Sequence, residues 1–196
     1  MANLAAVKAA VLTISSSVAA GRAHDTSGEA LARAAEQAGA EVVAREVVAD
    51  DREAIEAALR RLCQPAAKIS LVFTTGGTGL TPDDVTPEAT RAVIEREAPG
   101  FAEAMRAAAL RHTPMGLLSR GVSGIAGRTL IVNFPGNPKA IAEEFAVIAP
   151  ALAHAAELLE HEPGRPWSGG HPHGEHRAEL DPPQAGGHPP SGRSVR

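Results

Sequence analysis

Along residues 7–160, short apolar runs alternate with longer stretches in which apolar positions recur every three or four residues. Residues 7–14 and 41–48 are runs of the first kind and predict strands. Residues 68–74, almost wholly apolar and β-branched, predict a third strand with helices on both of its faces. A Ser/Gly-rich loop is expected over residues 15–25. Thr26-Ser27-Gly28-Glu29 then has capping-box spacing, which predicts a helix ending near Gly39. Asp50 or Asp51 opens the next helix, whose positions Ile55, Ala58, Leu59 and Leu62 share one face.

The same alternation continues downstream. Thr86-Pro87 starts a helix with proline where its missing N–H costs nothing, and Phe101, Ala104, Met105 and Ala108 mark another. Residues 122–125 and 129–134 predict strands separated by Gly127, and 138–159 a closing helix bent at Pro150. Strands and helices in this order predict an α/β domain around a mostly parallel sheet. From His161 onward Pro, Gly, His and Arg crowd the chain, with Trp167, Leu180 and Val195 the large apolar residues. Such a segment cannot bury enough surface to offset ordering entropy, so the expected division is a folded domain over 1–160 and a disordered tail over 161–196. The tract His171-Pro172-His173-Gly174-Glu175-His176 has the composition of a weak transition-metal site, but Pro and Gly interrupt its spacing.

Composition narrows the function. The chain has no Tyr, four Phe and one Trp, too few aromatics for stacking single-stranded bases, and its net charge of −4 offers no basic footprint for a phosphodiester backbone. A single cysteine, Cys63, excludes an internal disulfide; its helical neighbours make it packing rather than a catalytic thiol. No run of about 18 uninterrupted apolar residues occurs. A cytoplasmic protein with neither nucleic-acid nor membrane partners is expected.

Three segments carry candidate chemistry. Thr74-Thr75-Gly76-Gly77-Thr78-Gly79 follows the third strand, and ligands of open α/β sheets bind at the carboxyl ends of strands. Glycines there let backbone N–H groups approach an anion, although a bare strand-to-helix turn would use them too. No Gly-Lys-Ser/Thr follows and no third dinucleotide glycine is present, so any ATP is held in another manner. Beyond the loop lies Asp83-Asp84, where a carboxylate either caps the helix at Thr86 or holds Mg²⁺ against phosphate oxygens. Asp50, at a strand's carboxyl end, carries the same two readings. Asn133-Phe134-Pro135-Gly136-Asn137-Pro138-Lys139 again joins a strand to a helix and offers an anion site with a cation beside it. Between these, Arg120 could grip a phosphate bidentately.

Taken together the chain resembles the molybdopterin-binding family of the Mog/MoaB type over residues 5–160. The resemblance rests on Thr74 to Gly79, Asp84-Val85-Thr86-Pro87-Glu88, Pro99-Gly100-Phe101, Leu118-Ser119-Arg120 and Pro135-Gly136-Asn137-Pro138-Lys139, all in order. It implies a three-layer α/β/α sandwich, a homotrimer, and dealings with other proteins of molybdenum cofactor assembly. It implies that Asp50 and Asp84 are the critical acidic positions, with Mg²⁺ as the metal they hold. Thr75, Gly76, Gly77, Thr78, Gly79, Ser119 and Arg120 would take molybdopterin. Pro135, Gly136, Asn137, Pro138 and Lys139, with Asp25, Ser27 and Gly28 of the first loop, would take nucleotide phosphates. The chain departs from the family at Ser15-Ser16-Ser17, where a charged residue is common.

The implied reaction is adenylylation: the terminal phosphate of molybdopterin attacks the α-phosphorus of ATP and pyrophosphate leaves. A phosphate monoester, with a second pKa of about 6, is already ionised and needs no protein base. Two rivals share the motifs, a nucleotide pyrophosphatase with water as nucleophile and a molybdopterin carrier or scaffold that transfers nothing.

Overall fold

The computed structural model describes residues 4–161 and Gly164; apart from His161 and Gly164, the segment 161–196 lies outside the described residues, and so does its histidine tract. Four of the apolar runs become parallel neighbours: β2 (Glu41–Val48), β1 (Lys8–Ile14), β3 (Leu71–Thr75) and β6 (Thr129–Phe134). Two short strands, β4 (Arg96–Glu97) and β5 (Ser123–Ala126), extend the sheet antiparallel in the order β2-β1-β3-β6-β5-β4. Register pairs Thr13 with Thr75 and Thr75 with Phe134, so the central strands end level at one edge.

Alternation along each central strand divides the core. Ala9, Val11, Leu71, Phe73, Leu130 and Val132 face one way, packing on α2 (Thr26–Gln37), α5 (Pro99–Leu110) and α6 (Pro138–Glu160). Ala10, Leu12, Val72 and Ile131 face α3 (Arg52–Leu62) and α4 (Thr86–Arg91). The result is the three-layer α/β/α sandwich the resemblance implies. With few aromatics available, Phe73, Phe134 and Phe145 meet at centroid separations of 5.8, 5.5 and 5.9 Å and fasten α6 to the sheet centre.

Several boundaries differ from the sequence expectation, each for a local reason. The loop expected over 15–25 contains a one-turn helix, α1 (Ser16–Ala19), begun by Ser15, whose Oγ accepts from Val18 N at 3.4 Å. The third strand starts at Leu71 because Pro65–Ala67 forms a 3₁₀ turn closed by Lys68 in the left-handed region, φ 52°. The cap of α2 is Asp25, not Thr26: its Oδ1 accepts from Gly28 N at 2.8 Å, leaving Thr26 as the first helical residue. β4, two residues long, has too little sequence to show a period. α6 runs unbroken through Pro150.

Cys63 packs against the α3–α4 core, and burial pushes its thiol up to about 11, against a weaker opposing hydrogen bond from Thr129. That is the signature of packing, not of a nucleophile. One buried group is less settled. Glu144 on α6 is 6% exposed, and no hydrogen bond from a described residue reaches its carboxylate. Burial, and then the charge of Glu143, push its pKa up to about 7 against the pull of Arg106.

Candidate functional site

The glycine loop leaves β3 at the carboxyl edge, and the fate of its carbonyls decides what it can bind. Thr86 Oγ1 donates to Gly76 O at 2.9 Å and Thr86 N to Gly77 O at 3.1 Å. Arg120 N donates to Thr78 O at 2.9 Å, and Arg120 Nε to Gly79 O at 2.6 Å. Four successive carbonyls are thus taken up by protein donors. In a trans peptide the next residue's N–H points opposite to the carbonyl, so the N–H groups of Gly77 through Leu80 turn the other way. Those of Gly77 and Thr78 meet no acceptor among the described residues. A row of such donors is what an anion requires.

Glycine is required here sterically. Gly76 and Gly77 have φ of 97° and 62°, and a Cβ on Gly76 would run into the Ile14 carbonyl. A Cβ on Gly136 would lie 3.7 Å from Gly76 Cα, so the two glycine-bearing segments, sixty residues apart, touch at this edge. Thr75 ties them by donating from Oγ1 to Pro135 O at 2.8 Å. Asn137 caps α6 by accepting from Lys139 N at 3.0 Å, and Pro138 takes the first turn.

The aspartates are released from capping. Asp84 does not cap α4, whose N-cap position is Val85 with no side-chain bond. Its Oδ2 accepts instead from Thr81 N at 2.8 Å and Thr81 Oγ1 at 2.6 Å. Partial burial alone would raise its pKa. Hydrogen bonds from the Thr81 hydroxyl and N–H and from the Gly79 N–H, with the Arg120 charge, outweigh burial and hold the carboxyl below its ordinary value. Asp83 makes no side-chain cap on α4 either. Asp51, not Asp50, caps α3, accepting from Ala54 N at 2.8 Å. Asp50 is hooked to the serine segment after β1: its Oδ2 accepts from Ser16 N at 2.7 Å, and its own N donates to Ser16 Oγ at 3.0 Å. Ser16, within the segment that departs from the family pattern, therefore holds Asp50 in place.

Other expected residues take plainer work. Asp25, besides capping α2, accepts from Thr13 Oγ1 at 2.9 Å, which occupies both carboxylate oxygens and pins the start of α2 to β1. Gly28 is buried there, and a Cβ would strike both partners. Ser27 lies in the first turn of that helix. Ser119 closes a 3₁₀ turn over Pro114–Leu118 and lines a cleft of about 360 Å³ with Arg91, Arg106 and Arg120. Arg120 was expected on a phosphate; its guanidinium is instead bound to Glu88, at 2.5 Å from Nη1 to Oε1, and to the backbone carbonyls of Gly79 and Asp84. Ser16, Thr86 and Glu88 enter the sequence reading only as parts of motifs and not as site residues, because their partners lie 34, 10 and 32 residues away.

A family model described as "Probable molybdopterin binding domain" matches residues 10–154. The chain belongs to this family. It is 43% identical over 114 residues to a molybdopterin adenylyltransferase of Helicobacter pylori, covering 58% of this chain and 64% of that protein. To the molybdopterin adenylyltransferase of Escherichia coli it is 46% identical over 99 residues, 50% of this chain and 49% of the other. The chain thus spans less than two-thirds of the length of these curated relatives. Coverage of solved structures is fuller. The molybdopterin biosynthesis enzyme MoaB of Thermus thermophilus is similar at a TM-score of 0.74 and 42% identity, covering 81% of this chain and 99% of that one. The Mog protein of Mycobacterium ulcerans gives 0.73 and 39%, covering 79% and 99%.

Within this molybdopterin-binding domain no cluster of three or more His, Cys, Asp or Glu that could hold a metal exists among the described residues. An all-protein metal cage is therefore not offered. Mg²⁺ asks for less: one or two carboxylates, with water and substrate phosphates completing its shell. Asp84 and Asp50 fit that demand: Asp84 accepts from Thr81 and the Gly79 N–H, Asp50 from Ser16 N, and a carboxylate offers about four acceptor directions.

Proposed function

We propose that the protein transfers AMP from ATP to the terminal phosphate of molybdopterin and releases pyrophosphate, as a cytoplasmic step of molybdenum cofactor assembly. The observation that carries this reading is the inward turn of all four carbonyls of Gly76 to Gly79, which leaves N–H donors for a phosphate beside the carboxylate of Asp84. In the reaction a phosphate oxygen of molybdopterin forms a bond to the α-phosphorus of ATP while the bond to the β-bridging oxygen breaks. Pyrophosphate carries away the electron pair. The glycine-loop amides and Ser119 hold the pterin phosphate, and the start of α6 at Asn137, Pro138 and Lys139 receives nucleotide phosphates. Asp84 and Asp50 hold Mg²⁺, which when bound neutralises charge developing on the transferred group. The chain's own contribution is to keep two anions in line, which requires no side-chain nucleophile.

Pyrophosphate release is the direct assay. It should require ATP, Mg²⁺ and molybdopterin together. Release from ATP with water alone would identify a pyrophosphatase, and pterin binding with no release would identify a carrier.

The assembly in this reading is a homotrimer. It is supported by an apolar groove between α5 and α6, lined by Phe101, Ala104, Val147 and Ala151, with Val147 38% exposed. Light scattering at micromolar concentration should give three times the 20.1 kDa chain mass. A single chain mass would reject the trimer.

A further inference from the structure

We propose that Arg120 and Glu88 are a positioning pair, which locks the glycine loop and Asp84 into one geometry, and that Arg120 takes no substrate phosphate. The inference deepens the adenylylation reading and rests on it for the role of Asp84. A guanidinium has five N–H donors in a planar fork. In Arg120, Nε donates to Gly79 O at 2.6 Å and Nη1 to Glu88 Oε1 at 2.5 Å. Nη2 donates to Asp84 O and, at 3.4 Å, to Glu88 Oε2. Four of the five donors are therefore committed within the protein, and the backbone N–H of Arg120 is committed to Thr78 O. A bidentate hold on a phosphate needs two parallel donors, so the ligand would have to break the clasp to gain it.

What the clasp joins is informative. Its four acceptor residues are Thr78, Gly79, Asp84 and Glu88, which span the loop, the acidic residue and the helix behind it. Asp84 is held at both ends, its carbonyl by Arg120 and its carboxylate by Thr81. Glu88 cancels the arginine charge, so the pair adds shape to the site and little net potential. The side chains are about one-third exposed, which leaves the pair at the surface of the fold and outside its core.

Lysine separates positioning from phosphate binding. It keeps a positive charge that can hold a phosphate, but a point charge cannot span three separated acceptors. Arg120→Lys and Glu88→Gln should be compared with the full-length wild type by two readouts. The first needs no activity: amide hydrogen exchange of residues 77–86, expected to accelerate on the order of tenfold or more in Arg120→Lys. The second is steady-state pyrophosphate release, where kcat should fall on the order of 10- to 100-fold, by more than KM for molybdopterin rises through the loosened loop. Glu88→Gln, with the fork kept and one charge removed, should show the same pattern more mildly, and adding it to Arg120→Lys should cost little more. Unchanged exchange in Arg120→Lys, or a loss confined to KM for molybdopterin, would overturn the pair and return Arg120 to the phosphate. Should the wild type release no pyrophosphate, the adenylylation reading fails, while the exchange result still decides the pair.

Discussion

Asp84→Asn should lower the rate of adenylylation on the order of 10²-fold or more and leave molybdopterin affinity nearly unchanged. Asparagine keeps an oxygen for the N–H and hydroxyl of Thr81, so the turn that holds residue 84 survives. What is lost is the charge that recruits Mg²⁺, at a carboxyl already biased toward ionisation by its hydrogen bonds and Arg120. The pterin phosphate, held by the loop amides and Ser119, should not register the change. A capping role predicts no effect, because Asn caps as well as Asp, but that role has no support here, since the N-cap of α4 is Val85 and no side chain caps the helix. Asp50→Asn should follow the same pattern more mildly, its bond to Ser16 N being one that asparagine can also accept. Single-turnover rates and pterin fluorescence titrations on both variants measure the two quantities separately. Near-normal adenylylation by both would remove the metal assignment.

Glu144→Gln should stabilise the protein at and above neutral pH, and hardly at all at about pH 4. The Glu144 carboxyl is raised to about 7 in the folded state, first by burial and then by Glu143, with Arg106 opposing. In the unfolded chain it returns to about 4.3. Below that value both states carry the proton and its contribution to stability is fully present. As pH rises toward 7 the unfolded chain releases a proton that the fold retains, so stability falls, and the loss is complete above 7. The difference corresponds to roughly 4 kcal/mol at most. Urea unfolding at about pH 8 should show the glutamine variant more stable by a large part of that amount, and at about pH 4 the two proteins should nearly coincide. An equal difference at both pH values would contradict the assignment.

The architecture was legible because its signals are local and repeated. Strands β1, β2 and β6 are runs whose bounds move by at most one residue, and the helix face of α3 follows from spacing alone, whereas α5 buries Ala102 and Ala109 with Met105 and Ala108 and leaves Phe101 and Ala104 half-buried. Where the signal is only a residue or two, reading from sequence slips. Asp25 and Thr26 are both good caps, and only the reach of Asp25 to Gly28 and Thr13 shows which one serves. Asp50 and Asp51 are equivalent on paper, and the structure separates them by giving Asp51 the helix and Asp50 the serine hook. The glycine loop was visible as composition, but its binding face depends on donors from Thr86 and Arg120, one of them 41 residues away. In the same way, nothing near Arg120 in sequence shows the bonds from its fork to Glu88 and two carbonyls.

In the proposed reaction a new phosphoanhydride joins molybdopterin to AMP. Mass spectrometry of the full-length protein incubated with molybdopterin, ATP and Mg²⁺ tests it most directly. A pterin product heavier by one AMP unit is expected, formed in step with pyrophosphate and absent when Mg²⁺ is chelated. Molybdopterin recovered unmodified, from protein that binds it tightly under the same conditions, would contradict it.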